Sequence, residues 1–295
     1  MQFRAWQLVT MLVRRMPLSI SYLVAVWAGS VAFYCWPRGR RATVRNFSQV
    51  LRDAPISRVR KVARLSLVNY CRYLVDFVRF PSIAPAELIR QVEGEESFSA
   101  LDRTLHQGRG AIIVSMHFGN WDLGAGATVS RGYPVAIVAE TFSDPRLDAM
   151  VVGARQQLGM KVIKMEKAAP SLIRTLRQNG LLALLIDRPM QGEGVKVTFF
   201  GKDVEVPAGP ARLALRTGAT IVPVAFARKS PARSEVLTLA DFSVAHEPTG
   251  NLEADVRCLT QQIMTAQEGF IRRYPEQWYM FREMWPTAMK RQTAS

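Results

Sequence analysis

Short, unbroken runs of apolar residues, separated by stretches with helical spacing, constrain this fold more than any other feature of the sequence. Strands that are apolar on both sides are typical of a parallel sheet whose two faces are covered. Their alternation with helices predicts an α/β fold with a mostly parallel central sheet flanked by helices. The predicted strands are AIIVSM (111–116), VAIVAE (135–140), KVIKM (161–165), LLALLI (181–186) and TIVPVAFA (220–227), and the helices between them are 120–131, 145–158, 168–179 and 208–217.

Further elements extend this pattern on both sides. Residues 57–80 carry apolar side chains at helical spacing, with arginines on the opposite face, and predict a helix. Residues 234–242 predict one more strand, and residues 252–275 predict a closing helix. The chain has 295 residues, of which 48% are hydrophobic, which is enough for a sizeable core. We therefore predict an α/β domain over residues 51–295.

The first 50 residues (1–50) predict a separate helical arm that associates with a membrane. Residues 16–37 carry no charge, and basic clusters flank them at 14–15 and 38–41. The length suits one membrane span of about 20 residues, but a proline, serines and a glycine interrupt the apolar character. A helix lying in one leaflet is favoured; a true span and an ordinary core hairpin stay open. Aromatic residues that could anchor the arm at the interface are Trp6, Trp27, Trp36 and Tyr34.

The charge of the chain points to an anionic partner. The formal net charge is +15, and basic residues alternate with apolar segments along the chain. No zinc-finger spacing, aromatic RNA-binding strand or basic heptad helix is present, so no nucleic acid is expected. An anionic membrane surface is favoured instead. The three cysteines, Cys35, Cys71 and Cys258, suggest no disulfide framework and favour a reducing compartment.

A histidine and an aspartate follow one of the predicted strands. His117 comes directly after residues 111–116, and ligands of open α/β sheets bind at the carboxyl ends of strands. Asp122 lies in the first turn of the next helix, from where its carboxylate could reach the imidazole and leave the other ring nitrogen as a base. Because no serine or cysteine nucleophile elbow accompanies them, the pair predicts general-base acyl transfer to a substrate hydroxyl. A purely structural histidine–aspartate pair is the alternative.

A resemblance to a known family adds to this interpretation. HFGNWD (117–122), followed by DRPMQGEGVKVTFFGKDVEVPAGPARLALRTGATIVPV (187–224), resembles the late acyltransferases of lipid A biosynthesis. The likeness to phosphatidylinositol mannoside acyltransferases is closer still. RRATVRNFSQVL (40–51) is similar to a basic helix of the family, and YPEQWYMFREMW (274–285) is similar to its closing segment. The resemblance covers most of the chain.

The resemblance implies a fold like that of the glycerolipid acyltransferases. It implies an enzyme that moves a fatty acyl group from acyl-CoA or acyl-carrier protein to a hydroxyl of a lipid A precursor, a mannosylated inositol lipid or another glycolipid. The expected place is the cytoplasmic face of the inner membrane, on a monotopic or single-span arm, and neither metal nor cofactor is expected. A lipid or thioester hydrolase using the same site, and a non-catalytic membrane-binding protein, are the alternatives.

The resemblance also implies roles for individual residues. His117 is similar to the catalytic base, and Asp122 occupies the acidic place of the family motif. Arg155 resembles an arginine of the site, and its guanidinium suits a phosphate or the negative charge that develops on a reacting carbonyl. Asp187 and Arg188 end the strand 181–186, where the family often has an acidic residue.

The acidic partner of the base is open at this stage. The mannoside enzymes use a glutamate in the downstream half, and Asp187, Glu193 and Glu205 all compete for that place. We prefer Asp187 for its position at the end of a strand. Its carboxylate could orient His117 or pair with Arg155.

Several further residues are expected to bind substrate. The backbone amides of Gly119 and Asn120 are candidate donors to the oxyanion. Phe199 and Phe200, next to a tight turn, predict an apolar surface for an acyl chain or its carrier. The helix that begins near Gly209 could hold a phosphate at its N-terminus. Arg188 is the remaining residue that we expect to bind substrate.

Overall fold

The structure, a computed structural model, describes residues 2–139, 141–164, 168–190 and 194–285. Its α-helices are α1 (Gln2–Arg15), α2 (Leu18–Cys35), α3 (Pro37–Val50), α4 (Ile56–Arg79), α5 (Pro85–Arg90), α6 (Glu95–Leu105), α7 (Trp121–Ser130), α8 (Pro145–Gln157), α9 (Ala168–Arg177), α10 (Gly209–Thr217) and α11 (Leu252–Arg273). Its strands are β1 (Val92–Glu93), β2 (Ala111–Ser115), β3 (Val135–Ala139), β4 (Lys161–Lys164), β5 (Leu181–Leu185), β6 (Val195–Phe199), β7 (Lys202–Val206), β8 (Thr220–Arg228) and β9 (Val236–Ala240).

The central sheet has seven strands in the order β1-β9-β8-β2-β5-β3-β4. Neighbouring strands are parallel except β8 and β9, which are antiparallel. The predicted α/β fold with a mostly parallel sheet is therefore confirmed. Glu140 and Met165, the last residues of two predicted runs, lie outside the described residues.

The two faces of β2 meet different surroundings, because successive side chains of a strand point to opposite sides. Ile112 and Val114 are completely buried in a cluster that includes Ile263 and Met264 of α11. Ile113 and Ser115 point to the other face, which α4, α6 and α7 border, and line a large pocket there. One face of the sheet is thus filled, and the other is partly hollow.

The segment after β5 forms a hairpin, β6–β7, and its turn lies at Phe200 and Gly201, where φ is +48° and +68°. Phe199 is completely buried and Phe200 nearly so, and the Phe199 ring lies 5.9 Å from that of Trp278. The prediction that these phenylalanines offer an apolar surface to substrate is therefore wrong. The hairpin folds both rings into the core, where burial of aromatic area stabilises the fold.

The N-terminal arm lies along α4. A narrow stripe of α2 faces α4, and a Cβ on Gly29 would lie 2.6 Å from the Cα of Val68, so glycine permits the close approach of the two helices. The opposite side of α2 exposes 70% of Leu23 and 69% of Trp27. By length and composition alone, α2 could cross a membrane. Helix breaks at Pro17 and Trp36 divide the predicted apolar segment from α1 and α3.

Candidate active site

His117 stands just beyond the carboxyl end of β2, as the sequence predicted. Its carbonyl oxygen accepts a hydrogen bond of 2.8 Å from the amide of Tyr279. Gly119 follows with φ +57°, and a Cβ there would lie 1.9 Å from the carbonyl oxygen of Phe226. The turn that presents His117 therefore requires glycine at this position, for both its conformation and its space.

The imidazole of His117 is bound by Asp187, which follows β5. Ser115 of β2 pairs with Leu185 of β5, so the residues two positions further on, His117 and Asp187, come side by side. His117 Nδ1 lies 2.8 Å from Asp187 Oδ1, and the His117 amide donates to Oδ2 at 3.0 Å. Trp278 Nε1 also donates to Oδ2, at 3.1 Å. These contacts hold the carboxylate in one orientation.

The environment of Asp187 favours its ionised form. The side chain is completely buried, and burial alone would raise its pKa. The adjacent His117 and the hydrogen bonds from its ring, its amide and Trp278 outweigh that effect, so the pKa of Asp187 lies below its ordinary value. Because an ionised carboxylate only accepts, the His117 Nδ1 carries the proton, and Nε2 is the nitrogen that can act as a base.

Asp122, in the first turn of α7, contacts Arg155 and Tyr73. Arg155 Nε donates to Asp122 Oδ1 at 2.9 Å, and Nη2 donates to Oδ2 at 3.2 Å. The Tyr73 hydroxyl donates to Oδ2 at 2.7 Å. The carboxylate that binds the His117 imidazole is thus Asp187, whereas Asp122 holds the guanidinium of Arg155 in a bidentate pair.

Both partners of Asp122 are held in their protonated forms. Burial lowers the pKa of Arg155, but the charge of Asp122 and hydrogen bonds outweigh it, and the pKa lies above its ordinary value. Burial and the charge of Asp122 raise the pKa of Tyr73 well above its ordinary value. At neutral pH the site therefore keeps a cationic guanidinium and a neutral phenol beside one carboxylate.

A pocket of about 820 Å³ opens beside these groups. Its floor is the hollow face of five neighbouring strands, β9, β8, β2, β5 and β3, which spans ~19 Å at the usual strand spacing. Along β2 it runs from Ile113 to His117, ~13 Å at the usual rise per residue. Most of its walls are apolar, and Phe77, Phe98 and Phe226 contribute aromatic rings. The size and character suit a long hydrocarbon chain.

Aromatic side chains surround the imidazole. The ring of Trp121 meets that of His117 edge to face, with centroids 5.4 Å apart. Trp121 in turn stacks on Tyr73 at 4.0 Å. Trp121, Tyr73 and His117 all line the pocket, while the side chain of His117 is 22% exposed. The histidine is therefore accessible from the pocket in a mostly apolar setting.

The pocket brings together several residues that the sequence predicted. Met190 and Pro207 border it near Gly209, which begins α10 and has open space beside its Cα. Arg188 follows Asp187 at the same edge of the sheet as His117. The predicted site residues that line the pocket are His117, Asp122, Arg155, Arg188 and Gly209.

Other predicted site residues have structural partners instead. The amide of Gly119 donates to the carbonyl oxygen of Gln277, and the amide of Asn120 donates to that of Phe226, each at 2.9 Å. The prediction that these amides bind the oxyanion is therefore wrong, because the fold already uses them. The side chain of Asn120 is completely buried, and its Oδ1 caps α7 by accepting from the Leu123 amide.

The competing acidic residues have other surroundings. Glu205 lies on β7, opposite Lys196 of β6. Glu193 lies outside the described residues. Within the described ranges, no group of three histidine, cysteine, aspartate or glutamate side chains is placed to hold a metal ion.

Sequence reasoning missed two side chains of the site, Trp278 and Tyr73. Trp278 is completely buried and supports Asp187 from the closing segment, and Tyr73 reaches Asp122 from α4. The resemblance had included the QW pair at 277–278, but nothing in the sequence connects it with a carboxylate about 90 positions earlier, at Asp187. Tyr73 lies within the predicted helix 57–80, and its position there gave no sign of a role in the site.

Comparison with known proteins assigns the chain to a class. Residues 3–287 match the model of the bacterial lipid A biosynthesis acyltransferase family. The chain belongs to this family, which confirms the resemblance, and it is an acyltransferase.

Individual relatives narrow the class. The phosphatidylinositol mannoside acyltransferase of Mycolicibacterium smegmatis is 29% identical over 283 residues, which cover 93% of this chain and 88% of that protein. The protein of the same name from Mycobacterium tuberculosis is 28% identical over 247 residues, which cover 82% of this chain and 75% of that protein. The family and these relatives together support a glycolipid acyltransferase.

Proposed function

We propose that the enzyme transfers a fatty acyl group from an acyl thioester, acyl-CoA or acyl-carrier protein, to a hydroxyl of a glycolipid, with His117 as the general base. One observation carries this proposal: His117 is bound through Nδ1 by the buried Asp187 and lines a large apolar pocket. A base that is oriented by a carboxylate and faces room for an acyl chain suits transfer to an alcohol. The acceptor is a lipid A-like or mannosylated inositol lipid.

In the proposed reaction, His117 Nε2 takes the proton of the acceptor hydroxyl. The hydroxyl oxygen attacks the thioester carbonyl, and a new C–O bond forms. When the tetrahedral intermediate collapses, the C–S bond breaks, and the departing thiolate takes the proton back from the imidazolium. Asp187 stabilises the imidazolium while the proton is on the ring. The histidine therefore ends the cycle as it began.

The charged residues of the pocket suit the negative charges of this reaction. Asp122 holds Arg155 against the pocket wall, where the guanidinium can stabilise the oxyanion or an acceptor phosphate. Arg188 lines the same pocket at the end of β5. Because the amides of Gly119 and Asn120 are occupied, we assign stabilisation of the oxyanion to these side chains.

The arm is proposed to lie on an anionic membrane rather than to cross it. One stripe of α2 packs on α4, and side-chain hydrogen bonds join the arm to α4: Arg64 to Ser30 at 2.9 Å and Arg14 to the carbonyl oxygen of Val78 at 2.7 Å. A helix so attached presents its outer face to lipid while its inner face stays on protein. That outer face carries the exposed Leu23. The net charge of the whole chain, +15, favours an anionic lipid surface.

The arm can be tested on vesicles. We expect Leu23→Asp to weaken co-sedimentation with phosphatidylglycerol vesicles at least about tenfold, since it places a charge where an apolar side chain would enter the interface. Thermal stability in detergent should stay unchanged, because Leu23 is exposed. Unchanged vesicle binding would contradict the proposed orientation.

The reaction is tested with purified enzyme, a radiolabelled acyl thioester and a glycolipid acceptor. His117→Ala should lower the rate of transfer by about 10²–10⁴, the usual contribution of a general base. Lipid mass spectrometry of cells with the native gene, a deletion or His117→Ala should show one glycolipid class without one acyl chain in both altered strains. That class identifies the acceptor.

The chain offers a matched control in a second, partly buried histidine–aspartate pair. His246 Nε2 lies 2.8 Å from Asp255 Oδ1, the same distance as in the His117 pair, but His246 does not line the described pocket. His246→Ala should retain transfer. Equal loss in both variants would attribute the effect to folding. Release of the acyl group without labelling of the acceptor would favour the alternative function, a hydrolase. If the deletion changed the cellular lipids but His117→Ala did not, the assignment of His117 as the general base would be refuted.

A further inference from the structure

A second buried charged cluster lies between the arm and the active-site turn. Asp76 of α4 accepts hydrogen bonds from three different parts of the chain. The Tyr22 hydroxyl of α2 donates to Oδ1 at 2.5 Å, and Asn120 Nδ2 donates to Oδ2 at 2.8 Å. Arg228 of β8 forms an ion pair with the same carboxylate. All four side chains are almost completely buried.

Asn120 connects this cluster with the turn that presents His117. It lies three residues after His117, and its amide donates to the carbonyl oxygen of Phe226 while its side chain donates to Asp76. Gly119, between them, is held by the carbonyl oxygen of Gln277. Three hydrogen bonds therefore hold the turn, and the one from the Asn120 side chain to Asp76 leads directly to the carboxylate that Tyr22 contacts.

Tyr22 completes the connection on the side of the arm. Its hydroxyl donates to Asp76 and accepts from Arg228 Nη1 at 2.9 Å, so this single oxygen is shared by the carboxylate and the guanidinium. Tyr22 is buried, whereas Leu23, next to it on α2, is exposed on the face proposed to meet lipid. A displacement of α2 would withdraw this hydroxyl and leave buried charges with one partner fewer, which costs free energy.

We propose that Tyr22 is a positioning residue: through Asp76 and Asn120, the seating of α2 fixes the turn that carries His117. The proposal rests on the proposed function, since it assigns transfer to His117. According to this proposal, the rate of transfer depends on how the membrane-facing arm packs on α4. Tyr22 acts from a distance, since it is not among the residues that line the pocket. A purely structural cluster would stabilise the fold without reporting on His117.

The test removes one oxygen atom with Tyr22→Phe. We expect kcat to fall about 3- to 30-fold, which is less than the full loss of a hydrogen bond to a charged group, because Tyr22 acts on His117 through two other side chains. KM for the acyl donor should stay within about twofold. The second readout is the ¹⁵N signal of each imidazole in enzyme labelled at its three histidines. The signals of His117 should move in Tyr22→Phe, and those of His106 and His246 should not.

Tyr133→Phe is the matched control. The Tyr133 hydroxyl also donates to an aspartate, Asp102, at 2.7 Å, but at the surface. This variant should leave kcat and the His117 signals unchanged. Tyr22→Gln, which keeps a donor on the side chain, should bring the His117 signals part of the way back toward those of the native enzyme.

Unchanged kcat and unchanged His117 signals in Tyr22→Phe would overturn the proposal. So would a loss of thermal stability with His117 signals at their native positions, because that result assigns the cluster to stability alone. If the native enzyme transferred no acyl group, the proposed function would fail, yet the imidazole signals would still decide whether Tyr22 positions His117. If Tyr22→Phe does not fold, Tyr22→Gln takes its place, and its His117 signals should move from the native positions by a smaller amount.

Discussion

Two isoleucines that are neighbours in the sequence show how differently the two faces of the central sheet are built. Ile112 is completely buried in the hydrophobic cluster that also contains side chains of α11, whereas Ile113 lines the pocket of about 820 Å³ on the opposite face. Both belong to the same apolar run and the same strand, β2. The difference therefore arises from what packs on each face of the sheet.

The helices that cover the two faces account for it. α11 presents large side chains such as Ile263 and Met264 to the filled face. On the hollow face, α7 (WDLGAGATVS) offers the short side chains of Ala125 and Thr128, and β5 offers Ala183. Because the side chains are small both on the floor of the pocket and on the helix beside it, space remains that no neighbouring side chain fills. An acyltransferase uses that space for a hydrocarbon chain in the reaction proposed above.

The largest expected effect comes from emptying the filled face. Ile112→Ala should lower the free energy of unfolding by about 2–5 kcal/mol, because it leaves a cavity in a packed core. Ile113→Ala should cost about 1 kcal/mol, since its side chain already borders open space. Denaturant unfolding in detergent, followed by circular dichroism, measures both variants. Equal losses would show that the two faces are packed alike.

Filling the hollow face should change activity rather than stability. Ala183→Phe places a ring in the pocket, and transfer from long-chain donors should fall about tenfold or more relative to short-chain donors, a difference of about 1.4 kcal/mol. Ala136 is the control, because it lies on the filled face. Ala136→Phe should destabilise the fold by about 1–3 kcal/mol through overpacking. A long-chain rate that Ala183→Phe leaves unchanged would place the acyl chain elsewhere.

A hydrocarbon ligand should sharpen the comparison further. At about four times its Kd, a free long-chain fatty acid should raise the free energy of unfolding by about 1 kcal/mol, because it binds the folded state. The increase should disappear in Ala183→Phe and persist in Ile113→Ala. Differential scanning fluorimetry with increasing fatty acid measures it. A shift that survives in Ala183→Phe would mean that the fatty acid binds outside the pocket.

The smallest expected effect concerns Asp187, which lies at the carboxyl edge of the sheet, between its two faces. Its folded-state pKa lies below the unfolded value of about 3.9, so its ionised form stabilises the fold above that pH. This contribution is lost as the pH falls through the folded-state pKa. The difference in unfolding free energy between native enzyme and Asp187→Asn should therefore be constant near neutral pH and shrink below about pH 4. A difference that grows on acidification would reverse the sign of the shift.

Local patterns were sufficient to predict much of the fold. The apolar runs at β2, β3, β5 and β8 are continuous because both sides of each strand are covered, and this signal is visible residue by residue. The hairpin β6–β7 escaped prediction because its alternation is short and its turn uses Phe200 at positive φ. Phe199 and Phe200 were predicted to face substrate but are buried in the core. Their burial depends on partners that are distant in the sequence, such as Trp278.

By itself, the sequence determined that His117 follows a strand at the carboxyl edge of an α/β sheet, because that position follows from local apolar patterning. Which carboxylate binds the imidazole was decided by tertiary structure. The parallel register that pairs Ser115 with Leu185 brings Asp187 beside His117, although 70 positions separate them. Asp122, only five residues away, is carried by α7 to Arg155 instead. Strand register, rather than distance along the sequence, therefore decides which carboxylate reaches His117, because hydrogen bonds between strands set which side chains meet.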